Sequence, residues 1–193
     1  MKVLVACEVT QTVTKAFRER GHEAYSCDLL PTEGNPAWHI QDDILKHLDD
    51  GWDLMIAHPP CTYLSNAGAR FLYPKGILNH KRLNLGLNAT DLFMRLYNAN
   101  IGKICIENPI PSRVFGLPLY SQIIQPYYFG HNVQKKTCLW LKTLLPLTPT
   151  IICNSPQSTK VAGNWFNKGS KDRQVNRSRT FPGIAEAMAE QWG

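Results

Sequence analysis

The sequence predicts an α/β protein built on a mostly parallel central sheet with helices on both faces. Three observations point there. Short β-branched apolar runs alternate with segments of helical periodicity, as βαβ units do. The chain has 193 residues and a 44% hydrophobic share, enough for one domain with a sizeable core. Finally, Glu8, Asp28, the 58–61 segment and Glu107-Asn108 each fall at the end of a predicted strand, and in parallel sheets such ends gather at one edge.

The elements follow in order. Val3–Cys7 is a short β-branched run and predicts a buried first strand. Thr10–Arg20 places Val13, Ala16 and Phe17 at helical spacing, and Gly21-His22 ends that helix. Ala24–Cys27 predicts a second strand, closed by Asp28 and Pro31. Gln41–Leu48 reads as a short helix. Leu54–Ala57 predicts a third strand that runs into His58-Pro59-Pro60. Two prolines cannot continue a central ladder, so Cys61 starts a loop at the carboxyl end of that strand. Asn79–Asn98 is the longest helix, with Leu83, Leu87, Leu92, Met94 and Leu96 on a broad apolar face. Ile104–Ile106 predicts the next strand, ended by Glu107-Asn108-Pro109. Thr137–Leu141 is strand-like, with Trp140 expected in the core. Gly183–Gln191 predicts a terminal helix, with Thr180 a candidate cap. The whole chain, 1–193, reads as a single domain.

Bulk properties narrow the function classes. A net charge of +6 is a mild bias toward polyanions such as nucleic acid. None of the six cysteines forms a Cys-x-x-Cys pair, so neither a zinc site nor a redox dithiol is expected. Cys7, Cys27, Cys105 and Cys138 sit in apolar runs and read as buried thiols of a reducing cytoplasm. The six histidines form no metal-spaced set. The N-terminus reads as a strand rather than a signal peptide, and no run approaches the roughly 20 apolar residues of a membrane span.

Cys61 is the cysteine that stands apart, in a rigid polar loop, Pro59 to Gly68. A loop thiol near cations is nucleophilic when its pKa is lowered and otherwise inert; both readings stand on the local pattern. Glu107 after an apolar strand is placed to bind or protonate a substrate nitrogen, or to cap a turn. His58 beside Cys61 could tune it.

Together these segments resemble the cytosine 5-methyltransferase family. Pro59-Pro60-Cys61 with Ser65 and Ala67-Gly68 is similar to the family's nucleophile loop, and Glu107-Asn108-Pro109 looks like its Glu-Asn-Val segment. The order of the two and the strand-helix-strand between them match as well. Asn132 to Thr137 resembles the family's Gln-Arg-Arg-rich strand entry, with Lys135 and Lys136 where arginines are usual. Asp43-Ile44 resembles the acidic turn after the family's third strand, and Asp28 lies where an acid usually meets the cofactor ribose. Within the family the chain looks closest to short, phage-type DNA methylases.

The resemblance implies a Rossmann-like methyltransferase fold and S-adenosylmethionine-dependent methyl transfer to carbon 5 of cytosine in DNA, in a bacterial or phage-infected cytoplasm. It assigns Cys61 as nucleophile, Glu107 as acid partner and Asn108 as a third catalytic residue. Glu8, Asp28, Asp43 and Pro59 would hold the cofactor. Ser65, Lys136, Arg177 and Arg179 would contact substrate.

Two departures matter. The family's opening loop is glycine-rich, whereas Glu8–Arg20 contains no glycine, and Thr10-Gln11-Thr12 occupies the turn. And where typical members insert a target-recognition domain, only the basic segment 150–179 is present. Its Lys160, Lys168, Lys171, Arg173, Arg177 and Arg179 interleave with Trp165 and Phe166 against the single acid Asp172, which suits phosphate contact and base stacking or a solvated loop. Two other readings follow: a pyrimidine nucleotide-modifying enzyme with the same cysteine chemistry, and an inactive DNA-binding or counter-defence protein.

Overall fold

The structure, a computed structural model, describes residues 1–158 and 179–193. Seven strands form one sheet in the order β3-β2-β1-β4-β5-β8-β6: β1 Lys2–Ala6, β2 Glu23–Asp28, β3 His39–Gln41, β4 Leu54–Ala57, β5 Lys103–Pro109, β6 Gln122–Ile124 and β8 Thr137–Lys142. The five from β3 to β5 pair in parallel, and β8 runs antiparallel to both β5 and β6. A separate small pair joins β7 Val133–Gln134 to β9 Gln157–Ser158. Among the described residues the helices are α1 Thr12–Glu19, α2 Asn66–Ala69, α3 His80–Tyr97 and α4 Pro182–Trp192. The expected α/β class, a mostly parallel central sheet with helices on both faces, is the one observed.

Alternation along the strands builds two cores. Val3, Val5, Leu54, Ile56, Cys105 and Leu139 face α1 and α4, where Phe17, Met188 and Trp192 close the layer. Leu4, Ala6, Met55, Ala57, Ile104, Ile106 and Trp140 face α3 through Phe93 and Leu96. The central strands β1 and β4 are buried on both sides, which is why they read as unbroken apolar runs. Phe17 is wholly buried, so truncating it to alanine is expected to cost about 3–5 kcal/mol. Trp140 is in the core as expected, edge-on to Phe93 at 5.0 Å with its indole N–H donated to the Pro118 carbonyl. Gly86 in α3 leaves room for the Phe115 ring, which any side chain there would strike.

The expected helix over 79–98 is present, bounded by Asn79, whose side chain accepts the Arg82 N–H. Three expectations need correction. The segment read as a helix over 41–48 begins inside β3 and then makes one tight 3₁₀ turn, Ile44–Lys46. The open edge of β2 recruits Ile40 against Cys27, and Asp43 caps the turn through the Leu45 N–H. Second, β5 does not stop before Glu107. It continues to Pro109 because β8 pairs along it, Glu107 opposite Leu139 and Asn108 opposite Cys138. Proline is tolerated at that last position, where no ladder donor is needed. Third, Thr180 is not the cap of α4. Phe181 is the capping position, and His131 Nε2 accepts the Gly183 N–H instead, at 3.0 Å.

Candidate active site at the carboxyl ends of the strands

Because β1, β2, β4 and β5 are parallel, the residues that follow them share one edge of the sheet, and antiparallel β8 starts there. His58 comes immediately after β4, beside Glu107 on β5, continuing the register Ala57 to Ile106. The His58 Nδ1 and a Glu107 carboxylate oxygen lie 3.2 Å apart, with the two side chains only 9% and 16% exposed. His58 Nε2 is buried and has no hydrogen-bond partner among the described residues.

Burial alone would push the Glu107 carboxyl up. The hydrogen bond from His58, the charges of Lys135 and His58, and the Thr137 hydroxyl outweigh it and hold the group below its ordinary value. The cation near Glu107 is thus Lys135, whereas Lys136 is exposed. Two consecutive lysines entering a strand point to opposite sides, and the sequence motif does not say which one faces the site.

The Cys61 loop is held by its own backbone. The Ser65 N–H donates to the Cys61 carbonyl, and Ser65 caps α2 through the Gly68 N–H. The loop is then laced to the segment after β5: Asn66 N–H to the Ile110 carbonyl, Ser112 N–H to the Leu64 carbonyl, and a bridge between Ser65 and Pro111. Cys61 is half-buried and Pro59 buried. The nucleophile candidate and the carboxylate candidate therefore sit on neighbouring strand ends in one hydrogen-bonded frame.

Asn108 is placed differently. As the next residue along β5 it faces the α3 side of the sheet, opposite Cys138, while Glu107 faces the other side. It is 2% exposed, and neither amide atom has a partner among the described residues.

The proposed cofactor residues divide. Asp28 and Asp43 both come within electrostatic reach of Cys7 at the end of β1; burial is the main cause and these two carboxylates add to it, raising the thiol to about 12. Asp28 Oδ1 also accepts the Leu30 N–H. Glu8 is engaged by α1. Its buried carboxylate accepts the Val13 N–H at 2.7 Å, the Thr14 N–H at 3.2 Å and the Thr14 hydroxyl at 2.7 Å, so it closes the N-terminus of α1. The glycine-free turn is made by other residues in the left-handed region, Cys7 at φ 59° and Gln11 at φ 56°. That conformation costs roughly 1–2 kcal/mol for a residue with a Cβ. Gln11 offsets it with a fully buried amide bonded to the Ser26 hydroxyl and to both backbone groups of Asn35.

Arg179 grips Glu33 with two parallel contacts of 2.8 Å. Glu33 in turn donates its N–H to the Val9 carbonyl, so Arg179 ties the entry of α4 to the turn after β1. Arg177 lies outside the described residues, as do Lys160, Trp165, Phe166, Lys168, Lys171, Asp172 and Arg173. Sequence reasoning missed Lys135 as the charge near Glu107, and it missed the Glu8 and Gln11 roles. The signal for Glu8 was available: an acid ahead of Thr12-Val13-Thr14 is a helix-start pattern.

No protein-family model matches the chain, and no curated protein matches it. Among solved structures it is similar to a candidate DNA modification methyltransferase encoded within a prophage of E. coli, at 14% identity and a TM-score of 0.47, over 82% of this chain and 53% of that one. It is similar to the Dnmt2 methyltransferase of S. pombe at 14% identity and 0.42, over 75% and 50%. It is also similar to the methyltransferase EhMeth of Entamoeba histolytica at 13% identity and 0.45, over 88% and 61%. The chain thus spans between half and about three fifths of the length of these structures.

Proposed function

We propose that the chain transfers a methyl group from S-adenosylmethionine to carbon 5 of cytosine in DNA through a covalent adduct at Cys61. The observation that carries this reading is the lacing of the Cys61 loop onto the segment after Glu107, which holds a thiol and an ionised, buried carboxylate at adjacent strand ends. The resemblance of Pro59-Pro60-Cys61 and Glu107-Asn108-Pro109 to cytosine 5-methyltransferases gives that pair its chemistry.

In this reading the Cys61 thiolate adds to carbon 6 of the ring. Glu107 holds N3 and the exocyclic amine; a proton from the Glu107–His58 pair passes to N3 as the thiolate adds and returns to the pair when Cys61 leaves. Carbon 5 becomes nucleophilic. After it is alkylated, a base removes the carbon 5 proton and Cys61 leaves as thiolate, so the chain ends as it began. Ser65 fixes the loop that carries the thiol, and Asn108, its amide without a partner among the described residues, is the third proposed catalytic residue. Lys135 stabilises the Glu107 carboxylate, and Lys136, Arg177 and Arg179 would contact substrate.

The cofactor residues fit in part. Asp28 and Asp43 both lie within electrostatic reach of Cys7 at the end of β1, and with Pro59 they would hold the hydroxyl and amine groups of S-adenosylmethionine; Glu8 shapes the turn. When bound, the cofactor supplies an electrophilic methyl group.

The test is transfer of labelled methyl from S-adenosylmethionine to cytosine-containing DNA, with free cytidine nucleotides as parallel substrates. The reading expects label in 5-methylcytosine, lost in Cys61→Ser. Label in nucleotides alone would move the activity to the nucleotide-modifying alternative.

A further inference from the structure

The chain beyond Cys61 forms a surface whose chemistry points to a particular form of substrate. Between Asp53 and Asp91 there is no acidic residue, while Arg70, Lys75, Lys81 and Arg82 all fall in that stretch. Two of its aromatic side chains are turned out: Phe71 is 50% and Tyr73 52% exposed. An open groove of about 480 Å³ lies among them, lined by Tyr63, Phe71, Pro74, Asn79, Lys81 and Arg82.

The surface is braced. Arg82 Nη2 donates to the Thr62 carbonyl at 3.0 Å and the Gly68 carbonyl at 3.1 Å. Its guanidinium stands 5.1 Å from the Tyr63 ring and 5.3 Å from the Phe71 ring, and the Arg70 guanidinium stands 4.6 Å from Phe71. Thr62 follows Cys61 directly, so the brace links the aromatic surface to the candidate nucleophile. Lys75 and Gly76 both take positive φ in the turn after Tyr73, and Lys75 is exposed at its tip.

We propose that the surface from Tyr63 to Arg82 docks an unpaired nucleic-acid strand, with Phe71 and Tyr73 stacking on bases and Arg70, Lys75 and Lys81 taking phosphate oxygens. Cations alone would suit any polyanion. Exposed rings set among them suit bases whose faces are open, and a duplex hides those faces. The freedom from acidic residues matches a polyanion better than a protein partner of ordinary composition. The inference rests on DNA being the substrate in the proposed function, and it narrows that substrate to strands already unpaired at the target.

The test is fluorescence anisotropy of labelled single-stranded DNA and of its duplex with the full chain, with Phe71→Ala/Tyr73→Ala and with Lys75→Glu/Lys81→Glu. All four side chains are exposed, and circular dichroism checks that the fold is kept. The single strand is expected to bind more tightly than the duplex. The aromatic double variant should lose about tenfold or more in affinity at every salt concentration. The charge-reversed variant should also bind with a flatter salt dependence, since each lost phosphate contact removes roughly 0.7 from the slope. Preference for duplex, unchanged binding by the aromatic variant, or no binding of either form by the wild type overturns the docking site. Those results can coexist with a Cys61 adduct on a fluorinated nucleotide, which would leave the cysteine chemistry standing. Strand binding lost in the variants, with no adduct formed by the wild type, supports the docking site and sinks the catalytic reading instead.

Discussion

The His58 imidazole stands 3.2 Å from the Glu107 carboxylate and bridges the ends of two parallel strands, β4 and β5. Both side chains are nearly enclosed, so the pair is a desolvated contact rather than a surface ion pair. Burial pushes the carboxyl up, and His58, Lys135 and Thr137 together pull it below its ordinary value. A carboxyl lowered on folding adds stability above its unfolded value and loses it as pH falls through the folded one.

Replacing His58 tests that balance. In His58→Ala the upward push of burial is opposed only by Lys135 and Thr137, so the carboxyl should rise. The acidic limb of the pH dependence of methyl transfer is expected to move to higher pH, and the chain should lose about 1–3 kcal/mol in denaturant melts. His58→Gln, which keeps a donor, should recover part of both. A limb that stays in place would mean that His58 does not govern Glu107.

Glu8 separates a structural carboxylate from a cofactor ligand. Glu8→Ala removes the acceptor for two backbone donors of α1 and the Thr14 hydroxyl. Thermal melts should show a loss of about 2 kcal/mol, or about 5 °C for a chain of this size. Calorimetric titration of S-adenosylmethionine into a folded sample should give nearly wild-type affinity. An affinity loss without a stability loss would restore Glu8 to the cofactor set.

His131 sets a pH dependence elsewhere. Burial lowers its pKa, with Glu186 opposing, and its Nε2 accepts the Gly183 N–H, which requires the neutral ring. The unfolded chain therefore takes up the proton first. Stability tied to His131 should be complete above the ordinary histidine value and fall as pH drops from there toward the folded value. Melts of wild type and His131→Gln should converge over that window; parallel curves would contradict the assignment.

These cases also show how much was legible in the sequence. The strands β1 and β4 and the helix α3 were, because burial on both faces or a long apolar stripe leaves a periodic signal. β3 and β6 were not. Each has three residues and exists because a neighbouring strand offers an open edge, which no local pattern encodes. The edge that gathers Cys61, Glu107, Asp28 and Asp43 was legible from strand ends alone. Their division was not: Glu107 and Asn108 are adjacent in sequence yet face opposite sides of the sheet, because β8 extends β5 through both. The absence of glycine from the first turn was visible, but the buried Gln11 network that holds its left-handed backbone was not.

The Arg179–Glu33 pair gives a fourth prediction. Its side chains are 29% and 44% exposed, so solvent screens much of the attraction. A double-mutant cycle with Arg179→Ala and Glu33→Ala should give a coupling of about 1 kcal/mol or less. The larger effect of Arg179→Ala should be on the turn after β1, read as faster amide exchange at Val9 and Glu33.

The most direct test of the central claim is mass spectrometry of the chain incubated with DNA containing 5-fluorocytosine, with and without S-adenosylmethionine. Fluorine at carbon 5 blocks the final proton removal, so an enzyme of this kind is trapped on its substrate. The account predicts a covalent adduct mapping to Cys61 that requires the cofactor and disappears in Cys61→Ser. No adduct on DNA or on fluorinated nucleotides, or an adduct on another cysteine, would contradict it.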